Sequence, residues 1–344
     1  TTPDANYNEA QIDAFRKYSE EYFERHGENA SIKQIRVEDE DLEPLFEVLR
    51  EGQDRQRKLE EITQLVRNGQ FPLAVLTGAA GRTTTESLIR RDLGYIMAVD
   101  EHDGLGLQTA RDALGGRTVV DSTALVVGPW TGFPFRKLAS YFEKVLIPGP
   151  LREDVARARS SLAMRSTLSV SWNAQEGRPS VNETSDEDAH RFAEAAEQVW
   201  LDQRGLQVEG LDDTTRKEQW LSAIIVAQKL GLSVWADDIV LRRFARAMGV
   251  PAFGSLDLVR AFGTDDDVVA AVESLRANRV VDLPIRAPWH IQAQQADWDI
   301  HSPFALAISR AAAWSNPPSA FDQFRSLVRM RPPTMGPEQL AHWA

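Results

Sequence analysis

The 344-residue chain contains no cysteine. Disulfide bonds and thiolate-bound metal sites are therefore excluded, and this absence fits a reducing compartment. The chain also lacks an apolar run of about eighteen residues, the shortest stretch typical of a membrane-spanning helix, and a basic-then-apolar start of the secretory type. Together these absences predict a cytoplasmic protein without a membrane span.

Positive charge is also scarce. Lys and Arg number 39 against 51 Asp and Glu, for a formal net charge of −12, and the first 120 residues hold 23 acidic and 15 basic residues. A protein that holds nucleic acid by bulk charge is expected to be basic. Any nucleic-acid contact must therefore depend on local arginines or on metal ions.

Two apolar runs resemble buried strands that finish on carboxylates. Residues 116–125 place Asp121 after a Val-rich run, and residues 233–238 end on Asp237 and Asp238. The carboxyl ends of parallel strands meet at one edge of a sheet, where ligands bind. Several carboxylates at one edge repel each other, and a divalent cation relieves the repulsion. The pattern therefore indicates a metal-dependent phosphoryl-transfer site.

A second interpretation of the acidic pair remains open. Aspartate at the start of a helix accepts hydrogen bonds from free backbone amides and stabilises the positive end of the helix dipole. Asp237 and Asp238 precede a helical pattern. They are therefore candidates for helix capping as well as for metal binding.

The predicted secondary structure changes near residue 117. Before it, residues 8–26, a stretch from Asp41, and residues 55–67 have helical periodicity, and residues 71–88 resemble a helix-turn-helix or an ordinary pair of helices at a corner. From residue 117 strands and helices alternate, with a β-hairpin predicted near 166–184. After Gly263 the chain is mainly helical.

Three motifs make residues 117–260 resemble a PIN domain, an α/β/α nuclease fold. The first is Asp121 with its following Ser122 and Thr123. The second is a strand, a proline and a helix bearing Glu153 or Asp154. The third, and most specific, runs from Ser233 through the acidic pair to Gly254 and Ser255.

The resemblance implies a three-layer α/β/α domain with a parallel central sheet at residues 117–260. A helical region at residues 1–113, with its helix-turn-helix-like segment at 71–90, would precede this domain, and a helical extension at 261–344 would follow it. These flanks resemble those of bacterial PIN proteins of the conflict and defence type, which include toxins. A protein activator or inhibitor is an expected partner in such systems.

The resemblance also implies cleavage of single-stranded RNA, with DNA as the other candidate substrate, assisted by Mg²⁺ or Mn²⁺. Hard oxygen ligands suit both ions, which activate water and offset charge on the scissile phosphate. The implied catalytic residues are Asp121, Asp154 and Asp237. Glu153 and Asp238 join them as metal ligands, and Asp257 is a candidate fourth acid. The implied substrate-binding residues are Ser122, Thr123, Arg242, Arg243 and Ser255.

One alternative function comes from a different class. The helix-turn-helix-like segment would contact DNA, or a protein would bind, while the PIN-like domain serves as a catalytically inactive scaffold. For the arginines after the acidic pair, an ordinary solvated helix face is the alternative to a phosphate-binding surface. The two functions differ in where cations and phosphate bind, at Asp121 and Asp237 or along residues 83–90.

Overall fold

The structure is a computed structural model that describes residues 57–93, 96, 104–163, 168–173, 178–210, 219–285, 287–299, 301–333 and 335–336. The chain divides into two compact units, one of residues 1–54 and 170–180 and one of residues 55–169 and 181–344. The predicted helices at residues 8–26 and from Asp41 lie outside the described residues.

Five parallel strands form the centre of the larger unit. They are β1 (Arg117–Val120), β2 (Lys144–Pro148), β5 (Gln207–Glu209), β6 (Ser233–Trp235) and β7 (Ala252–Phe253). Their order in the sheet is β5-β2-β1-β6-β7, and all four neighbouring pairs are parallel. This sheet confirms the predicted α/β fold class with its parallel central sheet.

Helices follow the strands closely, so that their first turns lie at the carboxyl edge of the sheet. Residues 57–67 are helical as well. The other α-helices are α1 (Leu73–Ala79), α2 (Thr84–Arg90), α3 (Leu105–Ala113), α4 (Ser122–Val127), α5 (Phe135–Ala139), α6 (Gly149–Ala163), α7 (Asp186–Gln203), α8 (Ser222–Leu230), α9 (Ile239–Ala247), α10 (Ser255–Phe262), α11 (Asp265–Ala277), α12 (Trp289–Gln295), α13 (Pro303–Ile308) and α14 (Pro317–Met330). Thus α4, α6, α9 and α10 begin just after β1, β2, β6 and β7.

The core explains why the two central strands are nearly continuous apolar runs. Val119, Val120, Val234 and Trp235 are fully buried, as expected for strands covered by helices on both faces. The Trp235 ring stacks on Phe135, with ring centroids 5.2 Å apart. Strands β1 and β6 are therefore rigidly held, and so are the residues that follow them.

Strand β5 has no counterpart in the sequence prediction. Its three residues, Gln207–Glu209, include one apolar side chain, and the strand lies at the edge of the sheet beside β2. An edge strand of this length carries no usable periodicity.

Two further parts complete the described chain. Strands β3 (Leu168–Asn173) and β4 (Arg178–Glu183) form a separate two-stranded sheet. The C-terminal helices α12, α13 and α14 share an apolar cluster that includes Trp289, Phe304 and Leu327. Within the described residues, every helix is too short or too polar to cross a membrane.

Candidate acidic site

Asp121 follows β1 directly and is the N-cap of α4. Its Oδ1 accepts hydrogen bonds from the backbone N–H of Thr123 at 2.8 Å and from the Thr123 hydroxyl at 2.7 Å. Burial raises the pKa of Asp121 to about 6, and the charge of Asp238 adds to this shift while the Thr123 bonds oppose it. The carboxylate is therefore held where its negative charge is costly.

Thr123 connects the ends of the two central strands. Its hydroxyl accepts a hydrogen bond from the backbone N–H of Asp237 at 2.9 Å while donating to Asp121. In addition, the N–H of Asp121 donates to the carbonyl of Trp235 at 2.9 Å. Asp121 and Asp237 therefore lie at the same edge of the sheet.

Asp237 is held by the first residue of α10. Its Oδ1 accepts from the backbone N–H of Ser255 at 2.8 Å, and its Oδ2 accepts from the Ser255 hydroxyl. That hydroxyl also accepts from Nε1 of Trp235 at 2.9 Å. Burial raises the pKa of Asp237 to about 6, with the Ser255 bonds opposing the shift.

Asp238 caps two helices with one carboxylate. Oδ1 accepts from the N–H of Val240 in the first turn of α9 at 2.9 Å. Oδ2 accepts from the N–H of Leu73, the first residue of α1, at 2.8 Å. Burial raises the pKa of Asp238, although these backbone bonds stabilise its charged form. The capping interpretation of the sequence is therefore confirmed for Asp238.

The two acidic candidates on α6 differ in how deeply they are buried. Glu153 is exposed, whereas Asp154 is 3% exposed. The Asp154 oxygens accept one hydrogen bond each, at 3.0 Å, from the N–H groups of Thr84 and Thr85 at the start of α2. Burial raises the pKa of Asp154, against the effect of these amides. Asp154 is thus the buried acid that follows β2, and it also caps a helix.

Arg242 does not occupy a substrate-facing position, contrary to the sequence prediction. It is 2% exposed, and its Nη1 donates to Oδ2 of Asp257 at 2.7 Å. Asp257, the candidate fourth acid, also accepts from the N–H of Gly254 at 3.0 Å. The α9 helix turns this arginine toward the core, because its position four residues after Asp238 lies on the buried face.

The other predicted substrate-binding residues differ in exposure. Arg243 is exposed, whereas Ser122, Thr123 and Ser255 are buried. Among the described residues, the Ser122 hydroxyl finds no hydrogen-bond partner. This buried hydroxyl beside Asp121 is an unsatisfied polar group at the acidic edge.

As arranged here, the aspartates do not fit a divalent metal ion. Within the part of the chain that the structure describes, no three His, Asp or Glu side chains are grouped so that they could hold a metal. Hydrogen-bond donors engage both oxygens of Asp154, Asp237 and Asp238 and one oxygen of Asp121. A cation would share these oxygens with the donors, since each carboxylate oxygen has two lone pairs.

Backbone amides at the starts of α1 and α2 donate to the buried aspartates, and the sequence did not predict this contact. The segment between Pro72 and Arg91, predicted as a helix-turn-helix or a helical corner, begins both of its helices on PIN-region carboxylates. Residues 85–89 of α2 are buried. The helix that a DNA-reading alternative would place in a major groove is therefore not displayed in this arrangement.

Comparison with known proteins identifies the domain that carries these acids. A family model described as "PIN domain associated with the TPR-GreAB-C-PIN system" matches residues 119–247. No curated protein matches the chain. The matched range includes Asp121, Asp154, Asp237 and Asp238 and ends before Asp257. It also covers β2, β5 and β6 and the second half of β1 in the parallel sheet. Residues 119–247 are therefore a PIN-family domain with a nuclease-type fold.

Proposed function

We propose that this protein is a nuclease that hydrolyses phosphodiester bonds in single-stranded RNA, with Asp121, Asp154 and Asp237 as its catalytic carboxylates. The observation that carries the proposal is the set of buried aspartates that follow adjacent strands of a PIN sheet. Burying carboxylates costs free energy, and burial raises the pKa of each of these three aspartates despite the hydrogen bonds that they accept. Such a cost is typical of groups retained for chemistry rather than for stability.

The proposal also covers the surroundings of these acids. Asp238 belongs to the same acidic edge, and Ser122, Thr123 and Ser255 position the carboxylates or a phosphate oxygen. PIN domains typically use divalent ions, so we propose Mg²⁺ or Mn²⁺ as the cofactor. Binding it would require the aspartate side chains to move closer together. The family description names a TPR-GreAB-C-PIN system, which supports including a protein partner in the proposal.

A cleavage assay tests the proposal. Labelled single-stranded RNA and DNA of the same sequence are incubated with the parent chain and with Asp237→Asn in Mg²⁺, Mn²⁺ or EDTA. We expect RNA cleavage that Asp237→Asn lowers about a hundredfold or more, as when a key electrostatic group is lost. Asp266→Asn, an exposed aspartate in the first turn of α11, is the matched control and should cleave like the parent. Equal cleavage by Asp237→Asn would assign the activity to another site or to a contaminant.

An inactive PIN scaffold is the second candidate function. The capping bonds of Asp154 and Asp238, and the lack of a metal-binding trio among the described residues, favour it. Under this alternative the aspartates serve only to anchor helices. Metal binding that depends on Asp121 or Asp237 would separate the nuclease from the scaffold.

A further inference from the structure

We propose that Trp235 is a positioning residue of the acidic site: its indole N–H, acting through the Ser255 hydroxyl, holds the Asp237 carboxylate in one orientation. This role rests on the proposed nuclease function and adds to it a residue of strand β6. Trp235 is fully buried, so it influences the reaction without touching the substrate.

The indole N–H determines where the Ser255 hydroxyl hydrogen points. Nε1 of Trp235 donates to Oγ of Ser255 at 2.9 Å, and an indole N–H can only donate. The single hydrogen of the hydroxyl must therefore find another acceptor, which among the described residues is Oδ2 of Asp237. The backbone N–H of Ser255 holds the other oxygen, Oδ1, at 2.8 Å. The carboxylate therefore cannot rotate without breaking a hydrogen bond.

A second hydroxyl is fixed in the same way, and it links Asp237 to Asp121. The backbone N–H of Asp237 donates to Oγ1 of Thr123 at 2.9 Å, so the Thr123 hydrogen goes to Oδ1 of Asp121, at 2.7 Å. The N–H of Asp121 donates to the carbonyl of Trp235 at 2.9 Å. Together with the two bonds of the Ser255 hydroxyl, these bonds form a closed ring, which we call the hydrogen-bond ring. Trp235 belongs to it twice, as a side-chain donor and as a backbone acceptor.

Burial strengthens the hydrogen-bond ring. All of its residues are 3% exposed or less, and hydrogen bonds in such surroundings polarise one another. The hydroxyl of Ser122, which directly follows Asp121, is equally buried but has no hydrogen-bond partner among the described residues. A hydroxyl beside an aspartate is thus not automatically its donor. The N–H groups that donate to Thr123 and Ser255 select these two hydroxyls.

Packing alone does not account for the indole N–H of Trp235. The ring stacks on Phe135 and Phe253, with centroids 5.2 and 6.3 Å away, and lies 5.7 Å from the centroid of Phe142. An apolar aromatic ring would make these contacts without a buried N–H that needs an acceptor. Replacing both partners of a buried hydrogen bond by apolar groups can be nearly neutral for stability. The N–H therefore points to a role at Ser255.

Removing the N–H while keeping the shape of the ring tests this role. Trp235→3-benzothienylalanine keeps two fused rings and replaces the N–H by sulfur, which cannot donate. The same replacement at Trp314 is the matched control, because its Nε1 also donates one hydrogen bond, to the carbonyl of Ile308 at 2.8 Å. Trp314 packs against the apolar cluster of the C-terminal helices. Melting curves verify that both variants fold.

The primary measurement is steady-state cleavage of labelled single-stranded RNA in Mn²⁺. We expect the replacement at Trp235 to lower kcat about tenfold, as when a hydrogen bond to a charged group is weakened, and to leave KM within about twofold. The replacement at Trp314 should leave both constants like those of the parent. A parent-like kcat in the folded Trp235 variant would overturn the proposal, and so would equal losses in the two variants.

A double-mutant cycle tests whether Trp235 acts through Ser255. Ser255→Ala removes the hydroxyl and should lower kcat by itself. Adding Trp235→3-benzothienylalanine to Ser255→Ala should then lower kcat no further, because the connecting group is already absent. Losses that multiply would show that the indole acts by another route, contrary to the proposal.

The hydrogen bonds can also be followed without cleavage, through the indole ¹⁵N–¹H signals in nuclear magnetic resonance spectra. We expect Ser255→Ala to move the Trp235 indole proton upfield and to speed its exchange with water, while the Trp314 signal stays. Asp237→Asn weakens the acceptor of the Ser255 hydroxyl and should shift the Trp235 signal as well, whereas Asp266→Asn should not. A Trp235 signal that does not respond to Ser255→Ala or to Asp237→Asn would overturn the proposal.

These outcomes keep the positioning role and the nuclease function apart. If the Trp235 signal responds as expected but the parent cleaves no RNA, Trp235 still positions Asp237 and only the nuclease function fails. If the parent cleaves RNA and the folded Trp235 variant keeps its kcat, the nuclease function stands and the positioning role fails.

Discussion

At the scale of single residues, the buried aspartates differ in how many of their oxygens accept hydrogen bonds. Asp121 accepts both bonds from Thr123 on Oδ1, whereas Asp238 uses both oxygens, one for each helix it caps. A carboxamide offers one acceptor oxygen and one donor group. Asparagine can therefore replace the first aspartate but not the second.

We expect Asp121→Asn to leave the free energy of unfolding unchanged or to raise it. The variant keeps the cap of α4 and removes a costly buried charge. Asp238→Asn should instead destabilise the protein by about 1–3 kcal/mol, because its amide group would face the N–H of Leu73 or Val240. Urea unfolding of both variants measures the difference. A large loss of stability in Asp121→Asn would mean that its charge, and not only its Oδ1, anchors α4.

The positions of three aspartates at the acidic edge could be predicted, because each lies just after a strand that the sequence pattern marks. Asp121, Asp237 and Asp238 end Val-rich or Trp-containing strands, and the end of a parallel strand fixes their edge of the sheet. The choice between Glu153 and Asp154 was not predictable, because adjacent residues on a helix point about 100° apart and the buried direction depends on packing. Arg242 was misplaced for the same reason.

At the scale of elements, α3 packs closely against α10 because a glycine of α3 lies beside Asp257 of α10. A Cβ at Gly106 of α3 would lie 2.4 Å from Oδ2 of Asp257, the oxygen bonded to Arg242 and Gly254. We expect Gly106→Ala to lower the free energy of unfolding by about 1–3 kcal/mol, because the paired carboxylate has no free direction in which to move. Thermal or urea unfolding measures this loss.

Gly78→Ala is the matched control for that prediction. It lies inside α1, and its added Cβ meets nothing within 4 Å. Alanine favours helix over glycine by roughly 1 kcal/mol. We therefore expect unchanged or higher stability, and equal destabilisation of both variants would show that the Asp257 contact is not the cause.

The order of strands and helices followed from the sequence, but the docking of residues 72–91 did not. Alternating Val-rich runs and amphipathic segments predict a parallel α/β sheet without knowledge of contacts. This segment is attached by backbone N–H groups, which every residue except proline possesses, to carboxylates 69 to 165 positions away. No side-chain pattern marks such a donor, so the helical corner at residues 71–88 gave no sign of its binding surface.

At the scale of the whole molecule, buried acids make stability depend on pH. Asp121 and Asp237 have pKa values of about 6 in the folded protein against 3.8 ordinarily. Between these values the folded protein binds protons that the unfolded chain does not. The stabilisation from protonation is complete below about pH 3.8 and is lost as pH rises through 6.

We therefore expect the free energy of unfolding to be higher at pH 5.5 than at pH 7.5, by on the order of 1–3 kcal/mol. Urea unfolding at both pH values measures the change. The double variant Asp121→Asn, Asp237→Asn should lose the part of it that these two residues contribute, since asparagine does not titrate. The same pH difference in both proteins would assign the effect to other groups, such as Asp154 and Asp238, whose pKa values burial also raises.

Residues 72–91 report on their own detachment, because backbone amides hold them to the aspartates. When this segment detaches, Leu73, Thr84 and Thr85 lose their carboxylate acceptors together. Their backbone hydrogens can then exchange with solvent deuterium. Their exchange rates, residue by residue, should converge on a single opening free energy, which gives the fraction of molecules in which the segment is detached.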